Sequence, residues 1–157
     1  MATKIAGETY RGEAVTLPLS QDGQVSVYVW PCRILNVNGH GMGGPTIGVD
    51  VGNEEVIRYD CHDAVGHWHK GGYDKLGAGG SHTEFPDGLV DSAGQISWGL
   101  EQIRDQGQQM LEAAGYPADA GSLDEEMVQA AAEAVMAHLE NEGDLRSRAI
   151  DQELITA

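Results

Sequence analysis

Three features of this amino-acid sequence predict an α+β fold, an antiparallel sheet followed by helices. The composition changes near position 90: residues before it are rich in β-branched side chains and glycine, and those after it in Ala, Glu, Gln and Leu. Apolar residues alternate with period two in the first part and recur at helical spacing in the second. No internal repeat or low-complexity tract interrupts either part. Strands first and helices after give about four to six antiparallel strands from the N-terminal part, with two or three C-terminal helices packed on one face. The 157 residues fit a single domain, 1–157, β-rich over 1–90 and helical over 91–157.

In chain order, residues 14–19 read as an edge strand, because Pro18 has no N–H to give a ladder. Residues 24–30 alternate, with Val25, Val27 and Val29 on one face, after a turn at Gln21-Asp22-Gly23. Pro31 ends that strand or puts a bulge in it, and 32–37 carries on in the same direction. Residues 38–45 are too glycine-rich for a regular element and are expected to be a loop that is mobile or wrapped on a ligand. Strands over 46–51 and 55–60 follow, with Gly52-Asn53 as their hairpin turn.

Ser92 with Gln95 forms a capping-box pattern, so a helix starts there. Its buried stripe is Ile96, Leu100, Ile103, Met110, Leu111 and Ala114, and Gly115 with Pro117 stops it. Ser122 with Glu125 opens a second helix, with Asp124 and Glu126 near the positive end of its dipole. Met127, Ala131, Val135 and Leu139 face inward, Gly143 closes it, and 144–155 is a short third helix or a fraying tail.

The run 58–69 concentrates the chemistry: Arg58, Asp60, Cys61, His62, His67 and His69 within one short stretch. If the strand ending at His62 turns through Asp63-Ala64-Val65-Gly66 and returns through His67-Trp68-His69, then His62 faces His67 and Asp60 faces His69. Alternation then puts Arg58, Asp60, His62, His67 and His69 on one face, and Ile57, Tyr59, Cys61 and Trp68 on the other. Three imidazoles and a carboxylate suit a divalent transition metal, zinc or iron, and three protein ligands leave an open position. His67 and His69 with either Asp60 or His62 would hold the ion. The residues expected to be catalytic are Arg58, Asp60 and His62, with Arg58 orienting Asp60 or binding an anionic substrate and a metal-bound water as the reactive group.

The competing reading is structural, since histidines on a solvent-facing hairpin also serve packing and hydrogen bonding. A register slip of one residue would scatter the set. Five of the six histidines fall between positions 40 and 82, with His40 and His82 in glycine-rich loops on either side, and this clustering favours function. His138, on an amphipathic helix, reads as structural, and Cys61 as a buried hydrophobe. Residues 70–82 lack the ending of a phosphate loop and read as a flap over the hairpin face.

The net charge of −16, with a pI near 4.4, argues against nucleic acid as a partner, because few cations are present to displace counterions. A nuclease using the histidines as acid and base is held down by the same charge. The residues Met1 to Lys4 lead into polar sequence without a signal-peptide core, no long uncharged apolar run is present, and two cysteines need no disulfide. A cytoplasmic protein without membrane contact is expected. Its partners would be a small-molecule substrate or a protein, homo-oligomerisation being compatible with either. The rival to a metal-binding protein is a non-catalytic acidic accessory protein whose helices dock a partner.

The strand Arg58-Tyr59-Asp60-Cys61, the return His67-Trp68-His69 and the helix end Met110-Leu111-Glu112-Ala113-Ala114-Gly115-Tyr116 resemble a family of small uncharacterised bacterial proteins. The resemblance covers about residues 56–140 and implies no activity. His67, His69 and Asp74, with Gly80, Pro86 and Gly88, are also similar to cupin motifs, which implies metal chemistry. Asp91 stands where the cupin pattern has a metal-binding histidine, and helices follow instead of closing strands.

Overall fold

A computed structural model describes residues 6–156. The start read as lacking a signal-peptide core, Met1 to Lys4, lies outside the described residues. The chain forms β1 (Thr9–Arg11), β2 (Val15–Pro18), β3 (Val25–Val37), β4 (His40–Val51), β5 (Glu54–Asp60), a 3-10 turn (Asp63–Val65), β6 (His67–His69), α1 (Tyr73–Ser81), β7 (His82–Thr83), α2 (Ser92–Ala113), α3 (Pro117–Gly121), α4 (Glu125–Glu142) and α5 (Leu145–Asp151). The strands make one seven-stranded antiparallel sheet in the order β1-β3-β4-β5-β6-β7, with β2 also paired to β3. The α+β class is as expected. The sheet is larger than expected by the short β1 and β7, and α1 and α3 add to the helices.

The valine alternation of β3 does what its period requires. Val25, Val27 and Val29 join Ile47, Val49, Ile57, Tyr59 and Cys61 in a core against Ile96, Leu100, Ile103 and Leu111 of α2 and Val128, Ala131 and Val135 of α4. Each fully buried Val, Leu or Ile side chain among them contributes about 1.5–3 kcal/mol. Pro31 is accommodated by an irregularity between Trp30 and Arg33, which lets β3 run on to Val37 as a single strand. Cys32 and Ile34 then pack with Ala149 and Ile155 as a smaller cluster under α5.

Residues 38–45 are not a loop. Asn38 and Gly39, with φ of 53° and 84°, form the turn between β3 and β4, both central residues taking the left-handed region that suits this pair in a tight hairpin. His40 to Pro45 belongs to β4. The glycine at 41 answers a close approach: a Cβ there would lie 2.0 Å from the Leu154 carbonyl oxygen, and Thr156 N donates to Gly41 O at 2.7 Å.

The helices start one or two residues away from the expected caps. Asp91 caps α2, accepting from Gly94 N at 2.7 Å, and Asp124 caps α4, accepting from Met127 N at 3.0 Å. Gln95 turns away from the capping box and donates to Asp63 O at 2.8 Å and Leu89 O at 3.1 Å. Ser122 Oγ instead donates to Asp119 O at the end of α3. Gly143, with φ of 77°, closes α4 as expected.

Candidate metal centre

The hairpin of β5 and β6 carries the site, and its register differs from the expected one. Arg58 pairs with His69, Tyr59 with Trp68 and Asp60 with His67. The expected pairing of His62 with His67 and Asp60 with His69 is therefore displaced by two residues. Strand β5 stops at Asp60: Cys61 N still donates to Pro45 O of β4, but Pro45 has no N–H to return the bond, and His62 N folds back to Asp60 O. Asp63 takes a positive φ of 59° and starts the 3-10 turn, which Gly66 N closes onto Asp63 O. The same aspartate is held from two helices, accepting from Ser92 N at 2.6 Å and Arg146 Nη1 at 2.6 Å. A shift of two equals the side-chain period of a strand, so every residue of the hairpin kept its expected face. Tyr59 and Trp68 stack in the core with ring centroids 5.2 Å apart, and Cys61 is fully buried.

On the opposite face one ligand atom each from Asp60, His67 and His69 lies within 4.8 Å of the others. The two oxygens of Asp60 divide their work. Oδ1 accepts from Thr46 Oγ1 at 3.0 Å and Arg58 Nε at 3.3 Å, with Arg33 Nη1 at 3.5 Å and His62 Nε2 at 3.9 Å. Oδ2 faces the Nε2 atoms of His67 at 3.3 Å and His69 at 3.5 Å. His62 is buried on the Oδ1 side, 3.2 Å from Thr46 Oγ1, and does not join the cluster of three.

Hydrogen bonds fix how the two rings present themselves. His67 Nδ1 lies 3.2 Å from Val65 O, and a carbonyl only accepts, so Nδ1 carries the proton. His69 Nδ1 lies 2.9 Å from Ser81 Oγ, whose own hydrogen is given to Gly77 O at 2.6 Å. Ser81 therefore accepts from Nδ1–H as well. In a neutral ring each Nε2 then holds a lone pair, and both lone pairs point toward a carboxylate oxygen. Burial, partly opposed by Asp60, lowers the pKa of His67, and burial brings His62 down to about 4, so His62 and His67 favour the neutral form at pH 7. Burial works to raise the Asp60 carboxyl, but the Arg58 guanidinium, joined by that of Arg33, outweighs it and holds the group well below the ordinary range.

These atoms open into a cavity of about 600 Å³ that Arg33, Arg58, Tyr73 and His82 also line. The expected flap over 70–82 is the helix α1, kinked at Gly77, with Tyr73 packed 4.8 Å from the His69 ring. A larger groove of about 880 Å³ between α2 and α4 is lined largely by charged and amide side chains such as Arg104, Gln108 and Glu126, and gathers no convergent ligand set.

Of three further residues at the site, the sequence signals only His82, through the clustering of histidines, and not Ser81 or Arg33. His82 on β7 pairs with His69, stacks on His67 at 4.6 Å and meets Glu84 Oε1 at 2.7 Å. Ser81 orients His69, and nothing in its sequence neighbourhood signals that. Arg33, buried and bound to Glu8 at 2.6 Å, comes from a distant strand. His40 does not line this cavity, and His138 bonds Glu13 O from α4. The cupin-like carboxylates are employed elsewhere, Asp74 accepting from Glu55 N at 2.7 Å and Asp91 capping α2. Among the described residues the sheet does not close into a barrel.

No helix among the described residues is long and apolar enough to cross a membrane. No curated protein and no solved structure matches this chain. A family model does match, and over a longer stretch than the 56–140 resemblance: it spans residues 21–139, taking in β3 to β7 and the whole Asp60, His67 and His69 hairpin, and the chain belongs to that family, Domain of unknown function (DUF7700).

Proposed function

We propose that this chain is a metal-binding protein that holds a divalent transition metal, zinc or iron, between Asp60 Oδ2, His67 Nε2 and His69 Nε2. The observation that carries the reading is the convergence of three acceptor atoms while both imidazoles spend their N–H on other partners. Lone pairs facing one another at 3.3–3.5 Å repel unless a cation or proton lies between them, and His67 favours neutrality. Metal-bound histidines characteristically donate their second N–H to a carbonyl or hydroxyl, as His67 and His69 do.

Two imidazoles and one carboxylate leave coordination positions open toward the cavity, which suits catalytic zinc or non-haem iron better than a closed structural site. The metal would supply an activated water or a polarised substrate oxygen. Arg58 and His62 act around this set, Arg58 as a cation in the cavity wall and His62 as a positioning group for Thr46 and Asp60. Elemental analysis of untagged protein tests the reading. Near-stoichiometric zinc or iron, lost in the double variant His67→Ala, His69→Ala with the far-ultraviolet spectrum retained, is the expected result. Protein that stays metal-free after reconstitution with either ion overturns it.

A further inference from the structure

Arg58 stands in the wall of the cavity onto which Asp60, His67 and His69 face, and its hydrogen bonding is incomplete. Its side chain is 1 % exposed, with Nε 3.3 Å from Asp60 Oδ1 and 3.6 Å from Glu55 Oε1. Nη2 is shielded from water and has no acceptor among the described residues. Native proteins leave few buried guanidinium N–H groups unpaired, because such a group gives up hydration without replacement. Arg33 brings a second guanidinium to the same cavity, and Leu35, Val37 and Met42 supply apolar lining. The two guanidiniums are already faced by the buried carboxylates Glu8, Glu55 and Asp60, so it is a divalent ion in the centre, together with the unpaired Nη2, that would make this cavity a place for an anion.

We propose that the site takes a small organic acid, whose carboxylate accepts from Arg58 Nη2 while a neighbouring oxygen reaches the open side of the metal and the apolar remainder lies along Leu35, Val37 and Met42. The inference rests on the metal-centre reading. A carboxylate fits better than a phosphate. A planar pair of oxygens matches one guanidinium edge, whereas a phosphate dianion needs several donors, and the lining contains no lysine, serine or threonine. Tyr73 packs beside Arg58, its ring 5.2 Å from the guanidinium carbon, and movement of that ring would widen the approach to Nη2. Gly71 and Gly72, with φ of 88° and 108°, precede Tyr73 and give the start of α1 a hinge.

The test uses full-length protein with pyruvate as the acidic probe, methyl pyruvate as its uncharged control and inorganic phosphate as the rival anion. Cobalt(II)-loaded protein reports metal occupancy through its visible absorption before any probe is added. Pyruvate should perturb that absorption, methyl pyruvate should not, and Arg58→Lys should keep its metal while losing pyruvate affinity by about tenfold or more. Zinc-loaded wild-type protein with 15N-labelled arginine supplies a readout that does not depend on a variant that folds: pyruvate should shift the guanidinium signals of Arg58 and leave those of the exposed Arg104 and Arg148 unchanged. Metal uptake without any response of Arg58 to pyruvate overturns this inference and leaves the metal centre standing. Phosphate binding as well as pyruvate through the same Arg58 signals overturns the choice of a carboxylate. Failure to take up cobalt or zinc at all overturns both readings.

Discussion

Replacing Ser81 by alanine tests the metal centre at a residue that would touch no metal. Ser81 Oγ accepts from His69 Nδ1 at 2.9 Å, and the His69 side chain is 5 % exposed, so water has no easy route to take the hydroxyl's place. In Ser81→Ala the ring either buries an unpaired N–H, at about 1–3 kcal/mol, or rotates and takes Nε2 out of line with Asp60 Oδ2. Both outcomes weaken the metal site. Loss of an orienting partner of this kind costs about 10–100-fold in affinity, equivalent to about 1.4–2.7 kcal/mol, within the range for the unpaired N–H. Competition against a zinc chelator of known affinity measures it. Ser81 also donates to Gly77 O at the kink of α1, so urea unfolding of the metal-free variant is needed to separate a fold effect from a site effect. Unchanged zinc affinity in Ser81→Ala refutes the argument. So does an equal loss when the same change is made in a His69→Ala background, where no coupling to the ring remains.

Three further outcomes follow from neighbouring features. His62→Ala should keep its metal, with affinity changed by less than about threefold, because His62 Nε2 lies toward Asp60 Oδ1; loss of stoichiometric zinc would instead make His62 a ligand. Cys32, whose thiol burial pushes up to about 11, and Cys61, which full burial holds well above the ordinary thiol range, should both resist a thiol reagent at pH 8 in native protein and react on unfolding, and rapid native labelling would contradict their placement. Asp124 has its pKa lowered from 3.8 by the Gln21 hydrogen bond and then the Met127 N–H of its cap; its ionised contribution is present above the unfolded value and fades as pH falls through the lower folded value. The stability gap between wild type and Asp124→Ala should therefore shrink between pH 5 and pH 2 in urea titrations, and a gap constant across that range would count against the cap.

The face of the hairpin was legible from sequence and its pairing was not. Alternation alone assigns Arg58, Asp60, His67 and His69 to one side and Tyr59 and Trp68 to the other, and a displacement of two residues preserves that assignment. The displacement itself comes from Asp63, anchored by Ser92 and Arg146 at sequence separations of 29 and 83, which no local pattern reveals. The same holds for α1, whose glycines read as loop but which is packed against β5 and β6 through Tyr73 and Ser81. The glycines at 41 and 43 hide their role for a related cause: in sequence they signal chain freedom, whereas a Cβ there would meet the backbone of Leu154 or Arg33. The α2 and α4 stripes were legible because burial at helical spacing is a local pattern, and Ile96, Leu100, Ile103, Leu111, Ala131 and Val135 all lie in the core.

The division of labour at Asp60 bears on whether a bound metal would build the fold or only use it. Oδ1 is engaged by Thr46 and Arg58 without any ion, and the main core of valines, Tyr59 and α2 lies on the other face of the sheet. Metal-free protein should therefore stay folded, unlike a zinc finger, and the ion should add stability only by mass action. At a free zinc concentration about 1,000 times Kd that addition is about 4 kcal/mol, which for a chain of this size raises Tm by roughly 10 °C. Circular dichroism melts of chelator-treated and zinc-loaded protein measure the difference, with His67→Ala, His69→Ala as the variant in which the shift should vanish. Unfolding on chelation would show that the Oδ1 contacts do not suffice to hold the hairpin and would make the ion structural. A wild-type melt insensitive to zinc would count against the proposal that the three converging acceptors hold a metal ion.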